Sequence, residues 1–423
     1  MRTTLFHLIV FSWISFPVLA QQPADLHPAT GAKAAERLTL QQCLDRASQG
    51  NLSLQAARKG VERAQALQGT AWNLDKTDLT LGQDPTSGAS PDNALTLSQT
   101  MDFPSVYVAR RRQLKAETLV AEGEADVLRN EVRSRVASLY CQLLYQNERI
   151  RILQRQDSLL QAYADMARKR YEAGDVRQVE PLSARHMLQD NLLETDMAKA
   201  ECANLQATLS RLIGAGGIIQ PADTTLAPID EVITAGGLCY AQTPDGQLAH
   251  ARLAVADEAV KVAKSDYAPS LSLALRTQMV IKGWNPYHVD RSWNNGNFMG
   301  FEVGVGLPLF SGSTRAKVKA AKKEREITQL QIDSQAQEQQ EVYTAAVNSM
   351  VVAKRRMDYY VSSGNAGVAE ISRLSALDYA SGEIGYVEYV NALEKDIDAQ
   401  LKRAAAINDY NQAVVALKKL QGM

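Results

Sequence analysis

The stretch VRSRVASLYCQLLYQNERIRILQRQDSLLQAYADMARKRYEAGD, residues 132–175, decides how the chain is read. Steps of four and three from Val132 land on Val136, Leu139, Leu143, Gln146, Ile150, Leu153, Asp157, Leu160, Ala164, Ala167 and Tyr171, mostly aliphatic, with Arg, Glu, Gln and Lys between them. A 4-3 spacing held over five heptads is a coiled-coil seam. The helical run is longer still. From Ser105 to Ala173 there is no proline and one glycine, Gly123, so a continuous helix would be roughly 100 Å long at about 1.5 Å per residue. Gly174 is where such a helix can end or turn, and helix-forming sequence resumes to about Ile213. The simplest reading is an antiparallel helical hairpin with its turn at Gly174.

Upstream of the hairpin the period changes to two. Leu79 and Leu81 alternate with Thr80 and Gly82; Leu95, Leu97, Gln99, Met101 and Phe103 alternate with Thr96, Ser98, Thr100 and Asp102. Two strands are expected, each mainly apolar on one face and polar on the other. That suits a half-buried soluble sheet, or a barrel with lipid outside and water inside. Pro104 closes the second strand. Before the strands, Leu38 to Leu44 opens a helix with Thr39 as a candidate cap, and a longer amphipathic helix runs from Leu52 to about Trp72.

The same order then recurs. After a Gly- and Pro-containing connector comes a helix from Ala251 to about Asp266. Leu271, Leu273, Leu275 and Met279 form one alternating strand, and Phe301, Val303, Val305 and Leu307 another, ended by Pro308. A helix from about Ser313 to Ser381 follows, with Gly364 and Gly367 suggesting a local kink. Tyr379, Gly382, Val387 and Glu388 fall at the same offsets as Tyr171, Gly174, Val179 and Glu180, and Pro104–Gly174 and Pro308–Gly382 span 70 and 74 residues. Internal duplication is the strongest inference. The expected division is 1–20 signal peptide, 21–37 leader, 38–214 first repeat, 215–246 connector and 247–423 second repeat.

Composition narrows the function. The 423 residues carry a formal charge of −1 and only 6% aromatic residues, with a pI near 6.6, so there is no basic surface of the kind that binds nucleic acid. Met1-Arg2, the apolar run Leu5–Phe16 and Val18-Leu19-Ala20 read as an export signal cleaved before Gln21. Cys43, Cys141, Cys202 and Cys239 lack metal-ligand spacing; Cys141 and Cys202 lie on opposite hairpin arms, and buried free thiols without a required disulfide are expected. The histidines are scattered and no catalytic motif stands in a suitable context, so no enzyme and no cofactor are expected.

Two strands per repeat make four, which cannot close a barrel, and open edges cannot face lipid because each unpaired backbone group costs several kcal/mol there. A membrane reading therefore needs several chains to share one barrel. Taken together, the duplicated strand pairs ending in Phe103-Pro104 and Leu307-Pro308, and the motifs Arg170-Tyr171-Glu172-Ala173-Gly174 and Asp378-Tyr379-Ala380-Ser381-Gly382, resemble the TolC-like outer-membrane efflux channel family. The resemblance implies a mainly α fold with a β-barrel contribution: a homotrimer sharing a twelve-stranded barrel in outer-membrane lipid, above a periplasmic α-helical tunnel. It implies that the tips, at Tyr171, Gly174, Asp175, Val176, Tyr379, Gly382, Glu383 and Ile384, are exposed and dock a periplasmic adaptor (membrane fusion) protein serving an inner-membrane efflux pump. It places an acidic constriction at Glu388 and, one turn on, at the neutral Asn391, with Ile384 where an arginine can occur. For the glycines a plain turn suffices, and for Glu388 a solvated helix face is the alternative. Trp284, Tyr287, Trp293 and Phe298 are candidates for an interfacial aromatic belt. The competing function is a water-soluble periplasmic coiled-coil scaffold or adaptor.

Overall fold

A computed structural model describes residues 36–84, 92–230, 237–278, 299–362 and 366–423. The signal segment, the four belt aromatics and Gly364 lie outside these residues. Two strands, β1 (Glu36–Leu38) and, later, β4 (Ile219–Pro221), pair in parallel and frame the first hairpin. Helices α1 (Leu40–Gly50) and α2 (Leu52–Leu67) come next, α2 running into a 3-10 turn at Gln68–Trp72. Strands β2 (Asp78–Asp84) and β3 (Asp92–Asp102) lead into α3 (Pro104–Glu172), which turns back as α4 (Val179–Leu212). The second half has α5 (Pro244–Ser265), β5 (Ser270–Gln278), β6 (Met299–Gly306), α6 (Gly312–Ser362), α7 (Ala366–Ser381) and α8 (Tyr386–Gln421).

Each start has a local cause. Thr39 Oγ1 accepts from the Gln42 N–H while Gln42 Oε1 accepts from the Thr39 N–H, a reciprocal cap that opens α1. Phe103 is extended (φ −61°, ψ 143°), and Pro104 occupies the first helical position of α3, where its missing N–H costs nothing. Trp72 stacks on Tyr107 with centroids 5.2 Å apart, and the Tyr107 hydroxyl accepts from the Asp102 N–H at 2.9 Å, fixing strand to helix.

The seam buries as the spacing requires. Val132, Val136, Leu139, Leu143, Gln146, Leu153, Leu160 and Ala167 are buried, each large aliphatic adding about 1.5–3 kcal/mol of transfer free energy. Ile150, Asp157 and Ala164 are half-buried, and Tyr171, one turn before the glycine, is 43% exposed. The polar seam position Asp157 is answered across the hairpin: Asn191 Nδ2 donates to its Oδ1 at 2.6 Å and to Leu153 O at 3.0 Å, and Thr195 Oγ1 lies 3.4 Å from its Oδ2. Cys141 and Cys202 are buried and free, as is Cys43; Cys239, expected to be buried, is exposed.

Helix α3 runs through the middle of the chain. It packs against α2 and α5 along its first part and against α4 and α8 farther on, so α4 continues the line of α2, and α8 that of α5. Asn51 holds the first junction, capping α2 through the Leu54 N–H and donating to Leu212 O at 2.8 Å. At both junctions a glycine with positive φ ends one helix hard against a neighbour: Gly214, after α4, on Gly50 at the end of α1, and Gly422, after α8, on Pro244 at the start of α5.

Two connector expectations need correction. Helix α5 starts at Pro244, within the expected connector, because Thr243 caps it and proline is welcome in a first turn. The connector also holds β4 and a strap over α8, where Asn411 Oδ1 accepts from the Ile229 N–H at 2.8 Å and Nδ2 donates to Ala227 O at 2.9 Å. The three-residue β1, expected to be leader and helix start, pairs with β4 beneath Tyr140, whose hydroxyl lies 2.6 Å from Asp223.

The larger sheet is antiparallel throughout, in the order β2-β3-β5-β6. Its register sets Leu79, Leu97, Leu275 and Phe301 in one cross-strand row, with Thr80, Thr96, Arg276 and Gly300 in the next row on the other face. All four apolar residues of the first row are exposed, Phe301 to 85%, together with Leu81, Leu273, Val303 and Val305. Among the described residues no helix is long and apolar enough to cross a membrane.

Candidate functional site at the hairpin tips

Each tip is a helix end closed by glycine. Gly174 and Gly382 adopt φ of +84° and +82°, the left-handed conformation that other residues enter at a cost, and open space surrounds both. The N–H beyond each glycine reaches five residues back: Asp175 to Arg170 O at 2.9 Å, Glu383 to Asp378 O at 2.8 Å. This satisfies helix-end carbonyls in the Schellman pattern.

Between the tips lies an aromatic cluster drawn from three helices and lined by a fourth, α4. Tyr163 of α3 meets Tyr379 of α7 edge-on (6.1 Å, 66°) and Tyr389 of α8 edge-on (5.5 Å, 64°), and stacks with Tyr386 (6.1 Å, 11°). Tyr379 and Tyr389 stack at 4.7 Å. Ala167 and Ala184 are fully buried beside them, small enough for the rings to close in. The Tyr379 hydroxyl donates to Glu180 Oε1, the Arg170 guanidinium sits 5.1 Å over the Tyr379 ring, and the Tyr386 and Ser183 hydroxyls are 2.5 Å apart. Burial first, and then the hydrogen bond to Glu180, push the Tyr379 phenol up to about 12. Tyr163 is pushed well above the ordinary phenol range, by burial first and then by Tyr386, Tyr379 and Glu180 around it.

The residues expected at the tips separate into two groups. Tyr171, Gly174, Asp175, Gly382 and Glu383 are exposed. Val176 is half-buried, and so is Ile384, which packs against the cluster. Tyr379, expected on the surface, is 1% exposed: its ring fills the groove between the two hairpins, where Glu180 needs a donor. Glu388 is exposed and its Oε2 accepts from the Gly385 N–H at 2.9 Å, opening α8, while Asn391 lies one turn on, also exposed. The roles of Glu180, Tyr163, Tyr386 and Tyr389 were not singled out from sequence. The only available sign was the repeat match of Glu180 to Glu388. Among the described residues no group of three or more His, Cys, Asp or Glu is placed to hold a metal ion.

The fold is shared with outer-membrane channels of known structure. It is similar to the outer-membrane channel OprN (TM-score 0.73, 19% identity, 93% of each chain). It is also similar to CusC, a protein that forms a transmembrane channel (0.77, 16%, 95% of this chain and 98% of that one). The Campylobacter jejuni CmeC outer membrane channel is a third such structure (0.73, 18%, 90% and 85%). No curated protein matches the chain in sequence. Residues 238–423, which hold α5, β5, β6 and α6 to α8, match the family described as outer membrane efflux protein.

Proposed function

We propose that three copies of this chain form the outer-membrane exit duct of a tripartite efflux system, passive in itself and driven by an inner-membrane pump through a periplasmic adaptor. The observation that carries this reading is the open four-stranded sheet. One face presents a cross-strand row of exposed Leu79, Leu97, Leu275 and Phe301, the other is polar, and both outer edges, on β2 and β6, are free within the described chain. A lipid-facing sheet must pair every edge, and strands of 7 to 11 residues suit a tilted path through the hydrocarbon. Three chains supply twelve strands. A water-soluble scaffold gives no reason for such a row to stay uncovered.

The long helices then form a periplasmic tunnel with the tips at its far end. There Gly174, Asp175, Val176, Gly382, Glu383 and Ile384 form the apex that meets the adaptor, and Glu388 with Asn391 narrows the pore. Threefold symmetry turns each such residue into a ring, and a carboxylate ring favours cations.

The test is planar-bilayer recording on detergent-extracted protein. Discrete conductance steps with a cation preference that falls in Glu388→Ala support the duct and its constriction. Absence of conductance from protein that partitions into water overturns the duct, and an unchanged preference in Glu388→Ala removes Glu388 from the constriction.

A further inference from the structure

The tip groove within one chain is a template for a second groove that the single chain leaves half built. The two tip glycines are 208 positions apart, and the same offset carries the residues of one hairpin onto the other. Glu180 maps to Glu388, Tyr171 to Tyr379, Ser183 to Asn391 and Gln178 to Tyr386. Within the chain the groove is closed by Glu180 and Ser183 of the first hairpin against Tyr379 and Tyr386 of the second. The converse set, Glu388 and Asn391 of the second hairpin with Tyr171 and Gln178 of the first, is exposed throughout.

The apolar residues behind these polar pairs tell the same story. Tyr163, Met166 and Val390 are packed in the tip cluster. Their repeat counterparts Ile371, Leu374 and Leu182 are 56%, 44% and 60% exposed. One chain therefore carries both halves of a second copy of its own interface, on opposite flanks, where only another molecule of the same chain can bring them together. A heterologous contact of this kind closes into a ring when its rotation is an exact fraction of a turn, as in threefold symmetry.

We infer that Tyr171 of one protomer donates its hydroxyl hydrogen bond to Glu388 of its neighbour, with Gln178 of the first beside Asn391 of the second. This contact rests on the trimer reading above. It makes each constriction carboxylate a phenol-bonded one and gives Tyr171 a subunit-contact role in place of adaptor docking. It also differs from its template: the intrachain groove holds Tyr379, Tyr386 and Tyr389, whereas their counterparts are Tyr171, Gln178 and Pro181. Tyr163 likewise has Ile371 as its counterpart, so the seam between protomers has one ring where the seam within a protomer has four; it is the weaker of the two and the one that parts first.

The experiment uses the full-length membrane protein with Cys239→Ser, since that thiol is exposed. Tyr171→Cys and Glu388→Cys are combined and treated with a short bismaleimide in membranes. The expected product is a ladder ending in a covalent trimer, formed by the double variant and by neither single one. A heat-sensitive trimer that gives no ladder overturns this contact and leaves the trimer standing; a chain that amine-reactive crosslinking shows to be monomeric overturns both. In parallel, Tyr171→Phe and Glu388→Gln are compared singly and together by trimer dissociation temperature. The inference expects the double variant to fall no further than the larger single one, and fully additive shifts contradict it.

Discussion

The Tyr379 hydroxyl donates to the Glu180 carboxylate, fastening the second hairpin to the first at a point 199 residues apart in sequence. Glu180 is 8% exposed and Tyr379 1%, so the bond is made away from water, where a lost partner costs more than the bond itself gains. Replacing Tyr379 by Phe keeps the ring and strands the carboxylate. The expected cost is about 1–3 kcal/mol, confined to the tip. Hydrogen exchange checks it: amides of 378–389 and 180–187 should speed up while those around Leu143 stay slow.

The same cluster sets a pH dependence. A phenol held near 12 in the fold against 10.0 otherwise favours the protonated state when folded. Its contribution is therefore complete below about pH 10 and is lost as pH rises through about 12. Burial first, and then Glu180, oppose ionisation, and Arg170 over the ring favours it in part. Tyrosinate absorbance should rise in two phases, the later one coinciding with loosening of the tip, and Tyr379→Phe should shrink that phase. A single phase near pH 10 is inconsistent with the buried cluster.

Glycine substitutions should rank by what a side chain would meet. A Cβ at Gly174 or Gly382 enters open space, so Gly174→Ala carries only the left-handed backbone penalty, about 1–2 kcal/mol. At Gly214 the same Cβ would come within 2.5 Å of the Gly50 carbonyl oxygen, in addition to a φ of +69°. Gly214→Ala should lower the thermal midpoint more than Gly174→Ala. Equal midpoints would show that the α2–α4 junction is not tightly packed.

On the sheet the two faces should respond in opposite ways. Leu275→Lys puts a charge in the apolar row and should cost about 2–4 kcal/mol near the membrane midplane, whereas Thr96→Lys on the polar face should be nearly neutral. The yield of heat-sensitive trimer in outer membranes separates them. Equal yields would mean that the row does not face lipid.

Much of this architecture was legible in sequence because it is periodic. The 4-3 spacing from Val132 to Ala167 marks the buried stripe of α3, the alternation from Leu79 to Phe103 marks the sheet faces, and Pro104 and Gly174 punctuate the helix through backbone chemistry. Strand β1 was hidden because three residues show no period, and its partner β4 is distant in sequence. The start of α5 was hidden because Pro244 and Gly246 read as breakers, yet Thr243 caps the helix. The tips show the limit most plainly. Tyr171 and Tyr379 occupy the same motif position, and only the packing of one hairpin on the other exposes the first and buries the second. Periodicity carries no information about which of two equivalent positions meets a neighbour.

The central claim is that this chain is one third of a conduit: two strand pairs and two hairpins that become a closed pore only in threefold company. Native mass measurement of the protein extracted from outer membranes in detergent tests it most directly. The account predicts a complex of three chains that falls to single chains on heating, whereas a water-soluble single chain that needs no detergent contradicts it.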